Sequence, residues 1–245
     1  MEFAQVVFYG RLGSQALAMF NLDPAQWRGA RVLDCPGGPG SLSAMLRAEG
    51  LDVSAADPLY ALEEAELERR ALADLEAAMA TLATSAAIRP DFDLAACRRE
   101  HLEALEAFLA DHRAHPDRYV AASLPQLPFA DQSFDLVLCG HLLFSYAPRS
   151  AGGLMREPGL DLAWHRRALA ELLRVSRRAV RLYPAHTIEL QARRHPFAEA
   201  LLAELPAGWR GRFATTRYDQ GHQGLTDVLE LELSADAAAS CDVAN

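Results

Sequence analysis

A turn rich in glycine and proline constrains the fold of this chain more than any other feature. Residues 31–34 are typical of a short buried strand that closes on an acid, Asp34, and the turn CPGGPG over 35–40 leads into a predicted helix over 41–47. Glycines let the backbone pass close to a ligand, and the start of a helix offers unpaired N–H groups. A strand, a glycine turn and a helix in this order are typical of a nucleotide-binding corner in an α/β sheet.

The carboxylate at the end of the first strand narrows the chemistry of the ligand. Nicotinamide and flavin sites hold a pyrophosphate with N–H groups and a helix dipole, and Asp34 would repel that group. A ligand that carries ammonium and sulfonium cations tolerates a carboxylate there, and S-adenosylmethionine is such a ligand. A second predicted strand, 51–56, also ends in an acid, Asp57, which is placed to accept hydrogen bonds from ribose hydroxyls.

Together with LPFADQSFDLVLC over 127–139, these stretches resemble the class I S-adenosylmethionine-dependent methyltransferases. The resemblance spans roughly residues 30–60 and 120–185. YGR over 9–11, LDCPGGP over 33–39 and DPLY over 57–60 extend it toward a little-characterised bacterial subgroup.

The resemblance implies a Rossmann-like, doubly wound α/β fold whose seven-stranded sheet is mostly parallel and has an antiparallel last strand. We expect an N-terminal helical lead-in over 1–29, a methyltransferase-like domain over 30–233 and a disordered tail over 234–245. Further strands are predicted over 119–125, 135–140, 179–184, 212–218 and 228–233. Helices are predicted near 12–20 and over 160–175 and 187–204.

The same resemblance supplies a set of candidate cofactor contacts. Asp34 would serve the methionine end of S-adenosylmethionine, Gly38 and Gly40 would give backbone contacts, and Asp57 would bind the ribose. An arginine can hold the methionine carboxylate bidentately, which makes Arg11 a candidate. The full predicted set is Tyr9, Arg11, Asp34, Gly37, Gly38, Gly40, Asp57, Pro58, Leu59, Ser123 and Leu124.

The sequence departs from the family pattern at two positions. Pro36 stands where the loop has its first glycine, and proline has no N–H to donate, so Gly37 is expected to supply the flexibility. Ser123 stands where an acid commonly accepts from the adenine amino group, and a serine hydroxyl can accept one such bond.

A long segment, 61–118, follows the second strand where this fold has one short crossover helix. Apolar spacing predicts one helix over 61–85 and a second from Leu94 to about His115. The pair is either a cap beside the active site, a hairpin that thickens the domain, or a dimer face. His101, His112 and His115 with Asp111 could suggest a metal, but a solvated helix face is the preferred interpretation, and no metal is expected.

The fourth strand delivers His141 to the edge of the sheet where ligands collect in open α/β folds. His141 is therefore the candidate catalytic acid–base residue, although a histidine there could also satisfy a loop hydrogen bond. Three aromatic residues nearby could line an acceptor pocket or belong to the core: Phe144, Tyr146 and Trp164.

Composition limits the partners. All 24 basic residues are arginine, which excludes lysine Schiff-base chemistry and a phosphate-loop lysine. The net charge of −9 argues against nucleic acid as a partner. Four separated cysteines indicate free thiols in a reducing compartment. With no membrane-length apolar run and no signal-peptide pattern, we expect a cytoplasmic protein without a membrane partner.

These observations favour a methyltransferase acting on a small-molecule acceptor by in-line transfer, as a monomer or homodimer. One alternative is a cofactor-binding protein of the same fold without catalysis, which Pro36 and Ser123 would support. A nucleic-acid methyltransferase is disfavoured because CGHL over 139–142 lacks the expected Asn or Asp, two prolines and aromatic residue. A nicotinamide oxidoreductase is disfavoured by Asp34.

Overall fold

A seven-stranded sheet forms the centre of the protein, as seen in a computed structural model that describes residues 3–234. Its strand order is β3-β2-β1-β4-β5-β9-β7, in which β9 runs antiparallel to both neighbours. The remaining two strands, β6 and β8, form a small separate sheet. The nine strands are β1 (Arg31–Asp34), β2 (Asp52–Ala56), β3 (Tyr119–Val120), β4 (Phe134–Gly140), β5 (Ser176–Tyr183), β6 (Gln191–Ala192), β7 (Trp209–Thr215), β8 (Gln223–Gly224) and β9 (Asp227–Leu233). The predicted fold class, with its antiparallel finish, is confirmed.

Helices cover both faces of the sheet. They are α1 (Gly13–Met19), α2 (Leu42–Ala48), α3 (Glu64–Ala83), α4 (Leu94–Ala114), α5 (Leu162–Val175) and α6 (Pro196–Ala203). Because side chains alternate along a strand, Val32 of β1 packs with α1 and α2, whereas its neighbour Leu33 packs with α5 and α6. This alternation divides the core into two apolar layers, one on each face. No helix among residues 3–234 is long and apolar enough to cross a membrane.

The helices α3 and α4 form the predicted insertion between β2 and β3. They enclose a third apolar cluster, in which the Phe108 ring stacks on Tyr60 at 5.9 Å and meets Tyr119 edge-on at 5.5 Å. Arg47 of α2 forms an ion pair with Asp111 of α4, which also accepts a hydrogen bond from the Tyr119 hydroxyl. The insertion is thus packed against the parallel edge of the sheet.

The prediction of a helix over 187–204 is wrong for its first half. Pro196 has no N–H and takes the first position of α6, where His195 Nδ1 caps the helix by accepting from the N–H of Phe197 at 3.1 Å. The preceding residues form no helix, and 191–192 pair with 223–224. Most of the tail predicted over 234–245 lies outside the described residues.

We predict that Gly37→Ala destabilises the protein through a clash with Tyr60. A Cβ at Gly37 would lie 2.4 Å from the Tyr60 hydroxyl oxygen, so urea unfolding should show a loss of about 1–3 kcal/mol. The loss should shrink in a Tyr60→Phe background, which lacks that oxygen. Gly38→Ala is the control, since its Cβ would meet nothing within 4 Å and only its positive φ of 54° is unfavourable. An equal cost of Gly37→Ala in both backgrounds would refute the clash.

Candidate functional site

A cavity of about 440 Å³ opens at the carboxyl ends of β1, β2 and β4. Open α/β sheets bind their ligands at this edge. All twelve residues predicted for the site line this cavity: Tyr9, Arg11, Asp34, Gly37, Gly38, Gly40, Asp57, Pro58, Leu59, Ser123, Leu124 and His141. The tertiary structure therefore brings them together, and their individual roles stay predictions.

Close packing of the glycine turn against neighbouring residues, as well as access for a ligand, requires small residues here. Gly37 lies against Tyr60, and Gly38 has a positive φ, as a left-handed residue in a turn requires. A Cβ at Gly10 would lie 2.1 Å from the Gly40 nitrogen, so the N-terminal segment crosses the turn in backbone contact. Pro36, which replaces the first glycine, is accommodated because Gly37 and Gly38 supply the packing and the turn conformation.

Two buried carboxylates face the cavity from neighbouring strand ends. Asp34 is 5% exposed, and its carboxylate accepts a hydrogen bond from the Ser43 hydroxyl at 3.3 Å. Burial raises the pKa of Asp34 to about 8, with a smaller contribution from the Asp57 charge. No ion pair with Asp34 is present within the described residues, and the raised pKa keeps its carboxyl group protonated near neutral pH.

Asp57 is held more tightly than the sequence indicated. The residue is only 6% exposed, and its carboxylate accepts from the N–H groups of Leu59 at 2.9 Å and Gly38 at 3.3 Å. Burial raises the pKa of Asp57 to about 6, and the two backbone bonds oppose that rise. Asp57 therefore fixes the glycine turn as well as facing the ligand space.

The N-terminal segment forms one wall of the cavity. Its backbone is anchored by Asp74 of α3, which accepts from the N–H of Phe8 at 2.7 Å, and by the Tyr146 hydroxyl, which accepts from Val7 at 3.1 Å. Arg11 donates to the Tyr218 hydroxyl at 2.9 Å and lies over the Tyr9 ring at 5.4 Å. No carboxylate pairs with Arg11 in residues 3–234, which leaves its guanidinium able to bind an anionic group.

The far end of the insertion closes over the cavity. Arg89, in the loop between α3 and α4, forms a bidentate ion pair with Asp219 at 2.5 and 2.6 Å, and its N–H donates to the Gly221 carbonyl at 2.8 Å. His222 Nδ1 donates to the Ala87 carbonyl at 2.8 Å. Three residues of this region line the cavity: Leu82, Ile88 and Phe92. We call this junction of 85–92 with 218–224 the latch.

His141 follows β4 with a positive φ of 55°, and its backbone N–H donates to the Tyr183 carbonyl at 2.7 Å. Its Nε2 lies 3.2 Å from the Met19 sulfur. Burial lowers the pKa of His141 well below its ordinary value. The side chain is thus neutral at pH 7 and contacts a weak hydrogen-bond acceptor.

The three aromatic residues after β4 differ in whether they line the cavity or lie in the core. Tyr146 and Trp164 line the cavity, whereas Phe144 is fully buried in the core and stacks on His165 at 5.6 Å. Ser123 lies exposed at the rim, where an adenine contact remains a prediction, and Leu124 is buried beside it.

Sequence reasoning missed two buried polar side chains that line the cavity, His101 and Ser145. Neither the His101 Nε2 nor the Ser145 hydroxyl has a hydrogen-bond partner among the described residues. The preferred interpretation of a solvated histidine face is wrong for His101, which is 3% exposed. His101 is four residues before Leu105 and seven before Phe108, which places it on the apolar face of α4. This spacing could have predicted from the sequence that His101 is buried. His112 packs in the aromatic cluster instead, and His115 is exposed beside Asp111.

Comparisons with known proteins agree with this geometry. Residues 73–183 match the sequence model of a methyltransferase domain family, while the glycine turn lies outside the matched range. The seven-stranded, mostly parallel sheet with its antiparallel β9 is the one that the resemblance implied. The matched family and the sheet support the resemblance to the class I S-adenosylmethionine-dependent methyltransferases. S-adenosylmethionine is the cofactor that this resemblance implies.

Individual relatives are distant. An uncharacterized protein of Methanocaldococcus jannaschii is 23% identical over 89% of this chain and 93% of its own length. The 1,6-didemethyltoxoflavin-N1-methyltransferase of Burkholderia thailandensis, crystallised with 1,6-didemethyltoxoflavin and S-adenosylhomocysteine, is 15% identical, with a TM-score of 0.47 over 90% of this chain and 78% of that one. The N-methyltransferase NodS of Bradyrhizobium japonicum is 11% identical, with a TM-score of 0.43 over 91% and 94% of the two chains.

The residues present fit this cofactor. The unpaired Asp34 carboxylate suits an ammonium group, the unpaired Arg11 suits a carboxylate, and the open space above Gly38 leaves room for a ligand against the turn. Residues 3–234 contain no cluster of three or more His, Cys, Asp or Glu side chains that could hold a metal.

We predict that the affinity for S-adenosylmethionine rises with pH through Asp34. A carboxyl group with a pKa of about 8 is protonated at pH 6, and a cationic ligand favours its ionised form, so binding should release a proton. Affinity should rise by up to about tenfold per pH unit from pH 6 and level off near pH 8. Calorimetry in buffers of different ionisation enthalpy measures both effects. Asp34→Asn should bind weakly with no pH dependence, and proton uptake in the wild type would contradict the assignment.

We predict that breaking the latch loosens the insertion without unfolding the protein. Asp219 is half exposed, so Arg89→Gln should lower the free energy of unfolding by less than about 1 kcal/mol. Hydrogen exchange should nevertheless accelerate in residues 85–92 and 218–224, because the ion pair joins these two loops. The control is Arg98→Gln, which breaks the ion pair of Arg98 with Glu76 inside the hairpin. Equal exchange in the two variants would show that the ion pair does not hold the latch.

Proposed function

We propose that the protein transfers a methyl group from S-adenosylmethionine to a small-molecule acceptor. The observation that carries this proposal is the closure of the cavity. One chain supplies its floor from the sheet, one wall from the N-terminal segment and its cover from the insertion. A cavity of about 440 Å³ covered in this way suits a small molecule better than a polymer. A homodimer is not needed to complete this site.

The chain's own residues hold the cofactor in this proposal. Asp34 pairs with the ammonium of the methionine end, Arg11 binds its carboxylate, and Asp57 accepts from the ribose hydroxyls. Gly38 and Gly40 let the ligand approach the turn, Pro58 and Leu59 follow the ribose-binding acid, and Tyr9 covers the site. Ser123 and Leu124 lie at the adenine end. When bound, S-adenosylmethionine supplies an electrophilic methyl group on a positively charged sulfur.

The protein contributes alignment and exclusion of water, because the sulfonium is already a good leaving group. The insertion acts as the cap, since its loop joins 218–224 and its side chains line the cavity. His141 is the proposed acid–base residue for an acceptor that must lose a proton. It is neutral, so its free nitrogen can accept a proton, and it follows the strand at whose end the reaction takes place.

The decisive experiment follows a labelled methyl group. Protein and methyl-tritiated S-adenosylmethionine are incubated with a bacterial extract that is split by filtration into small molecules and macromolecules. Label should appear in the small-molecule fraction only. Asp57→Asn should reduce transfer and raise the dissociation constant for S-adenosylhomocysteine by about tenfold or more, since a charge-assisted bond is lost.

Controls separate binding from transfer. S-adenosylhomocysteine should raise the melting temperature of the wild type, while NAD should leave it unchanged. Asp52→Asn is a matched variant at the other end of β2, where Asp52 pairs with Arg118 at 2.8 Å, and it should leave transfer unchanged. Label in nucleic acid or protein would contradict a small-molecule acceptor. Cofactor binding with no labelled product in either fraction would favour a binding protein.

A further inference from the structure

His101 presents an unused hydrogen-bond acceptor at the cavity. Its Nδ1 lies 2.7 Å from the Cys97 carbonyl oxygen, one turn earlier in α4. A carbonyl can only accept, so the ring proton is on Nδ1 and the Nε2 carries a lone pair. Burial, together with the Arg11 charge, lowers the pKa of His101 to about 4, which keeps the ring neutral at pH 7.

The surroundings leave this lone pair without a protein donor. His101 is 3% exposed, and the Tyr9 ring stacks on it at 4.9 Å. The Nε2 has no partner within residues 3–234. A buried polar atom without a partner is unfavourable, and such atoms in a binding cavity are commonly met by the ligand.

The charges of the cavity wall further restrict the acceptor. Among residues 3–234, the acids that line the cavity are Asp34 and Asp57, which stand at the ends of β1 and β2 and are taken by the cofactor in the proposed function. The part formed by the N-terminal segment and the insertion contains Arg11 and Arg70, of which Arg70 pairs with Asp74 at 2.9 Å. A cationic acceptor would find no counter-ion there.

The remainder of that part is largely apolar. Its side chains include Val6, Val7, Leu82, Ile88 and Phe92. An acceptor with an apolar body therefore gains from burial against this wall.

On the basis of the function proposed above, we propose that the methyl acceptor is an uncharged or anionic apolar molecule that donates an N–H or O–H to the Nε2 of His101. His101 is thus a residue that binds and selects the acceptor. This hydrogen bond fixes one end of the acceptor against the insertion. The reaction is the methyl transfer described under the proposed function.

Three small probes of similar shape test this proposal on protein saturated with S-adenosylhomocysteine. Phenol donates an O–H, anisole has the same ring without a donor, and benzylammonium is a cation. Phenol should shift the Nε2 resonance of His101 in nitrogen-15 spectra and bind about fivefold more tightly than anisole, as expected for one hydrogen bond. Benzylammonium should bind at least about tenfold more weakly than phenol.

Variants separate the hydrogen bond from packing. His101→Phe keeps an aromatic ring against Tyr9 and should remove the preference for phenol over anisole, with affinity for S-adenosylhomocysteine unchanged. His112→Phe lies about three turns further along α4, outside the cavity lining, and should keep the preference. The proposal is overturned if phenol leaves the wild-type Nε2 resonance unmoved, if anisole binds as tightly as phenol, or if benzylammonium does.

The same data distinguish this proposal from the function it rests on. A wild-type protein that does not bind S-adenosylhomocysteine would contradict the proposed function. The contrast between phenol and anisole, measured without that ligand, would then still decide whether His101 binds a donor.

Discussion

The carboxylate of Asp57 holds the glycine turn after β1 and the turn after β2 in a fixed position relative to each other. It accepts from Gly38 in the glycine turn and from Leu59 in the short helical turn after β2. Tyr60, which follows, donates its hydroxyl to the Gly38 carbonyl at 2.7 Å. The turn is thereby bonded through both its N–H and its C=O. Its shape is fixed before any ligand binds, which reduces the ordering that binding would otherwise require.

The two buried acids at this edge of the sheet determine which ligand charge the site favours. Asp34 and Asp57 are both nearly inaccessible, and burial raises the pKa of each. The free protein therefore holds a proton on Asp34 near neutral pH. A cation at this place favours the ionised carboxylate and replaces that proton, so the site is matched in charge to an ammonium ligand and mismatched to a pyrophosphate.

The cover of the cavity consists of segments far apart in sequence. The N-terminal segment touches the glycine turn at Gly10, α3 anchors it at Phe8 through Asp74, and the latch joins Arg89 to Asp219. The last two contacts couple the insertion to the N-terminal segment and to the loop over 218–224. One part of the cavity therefore depends on the insertion, while the part at the glycine turn depends on the parallel strands.

The sequence by itself predicted the sheet, both insertion helices and the residues that line the cavity at the strand ends, because these follow from local patterns: short apolar runs, helical apolar spacing, and acids at the ends of β1 and β2. It did not determine the helix that Pro196 shortens, the burial of Asp57 or the position of His101. Those depend on which surfaces meet, and Arg89 and Asp219 are 130 residues apart along the chain. Only the tertiary structure decided that the insertion turns inward, because an amphipathic face specifies burial without specifying the surface that buries it.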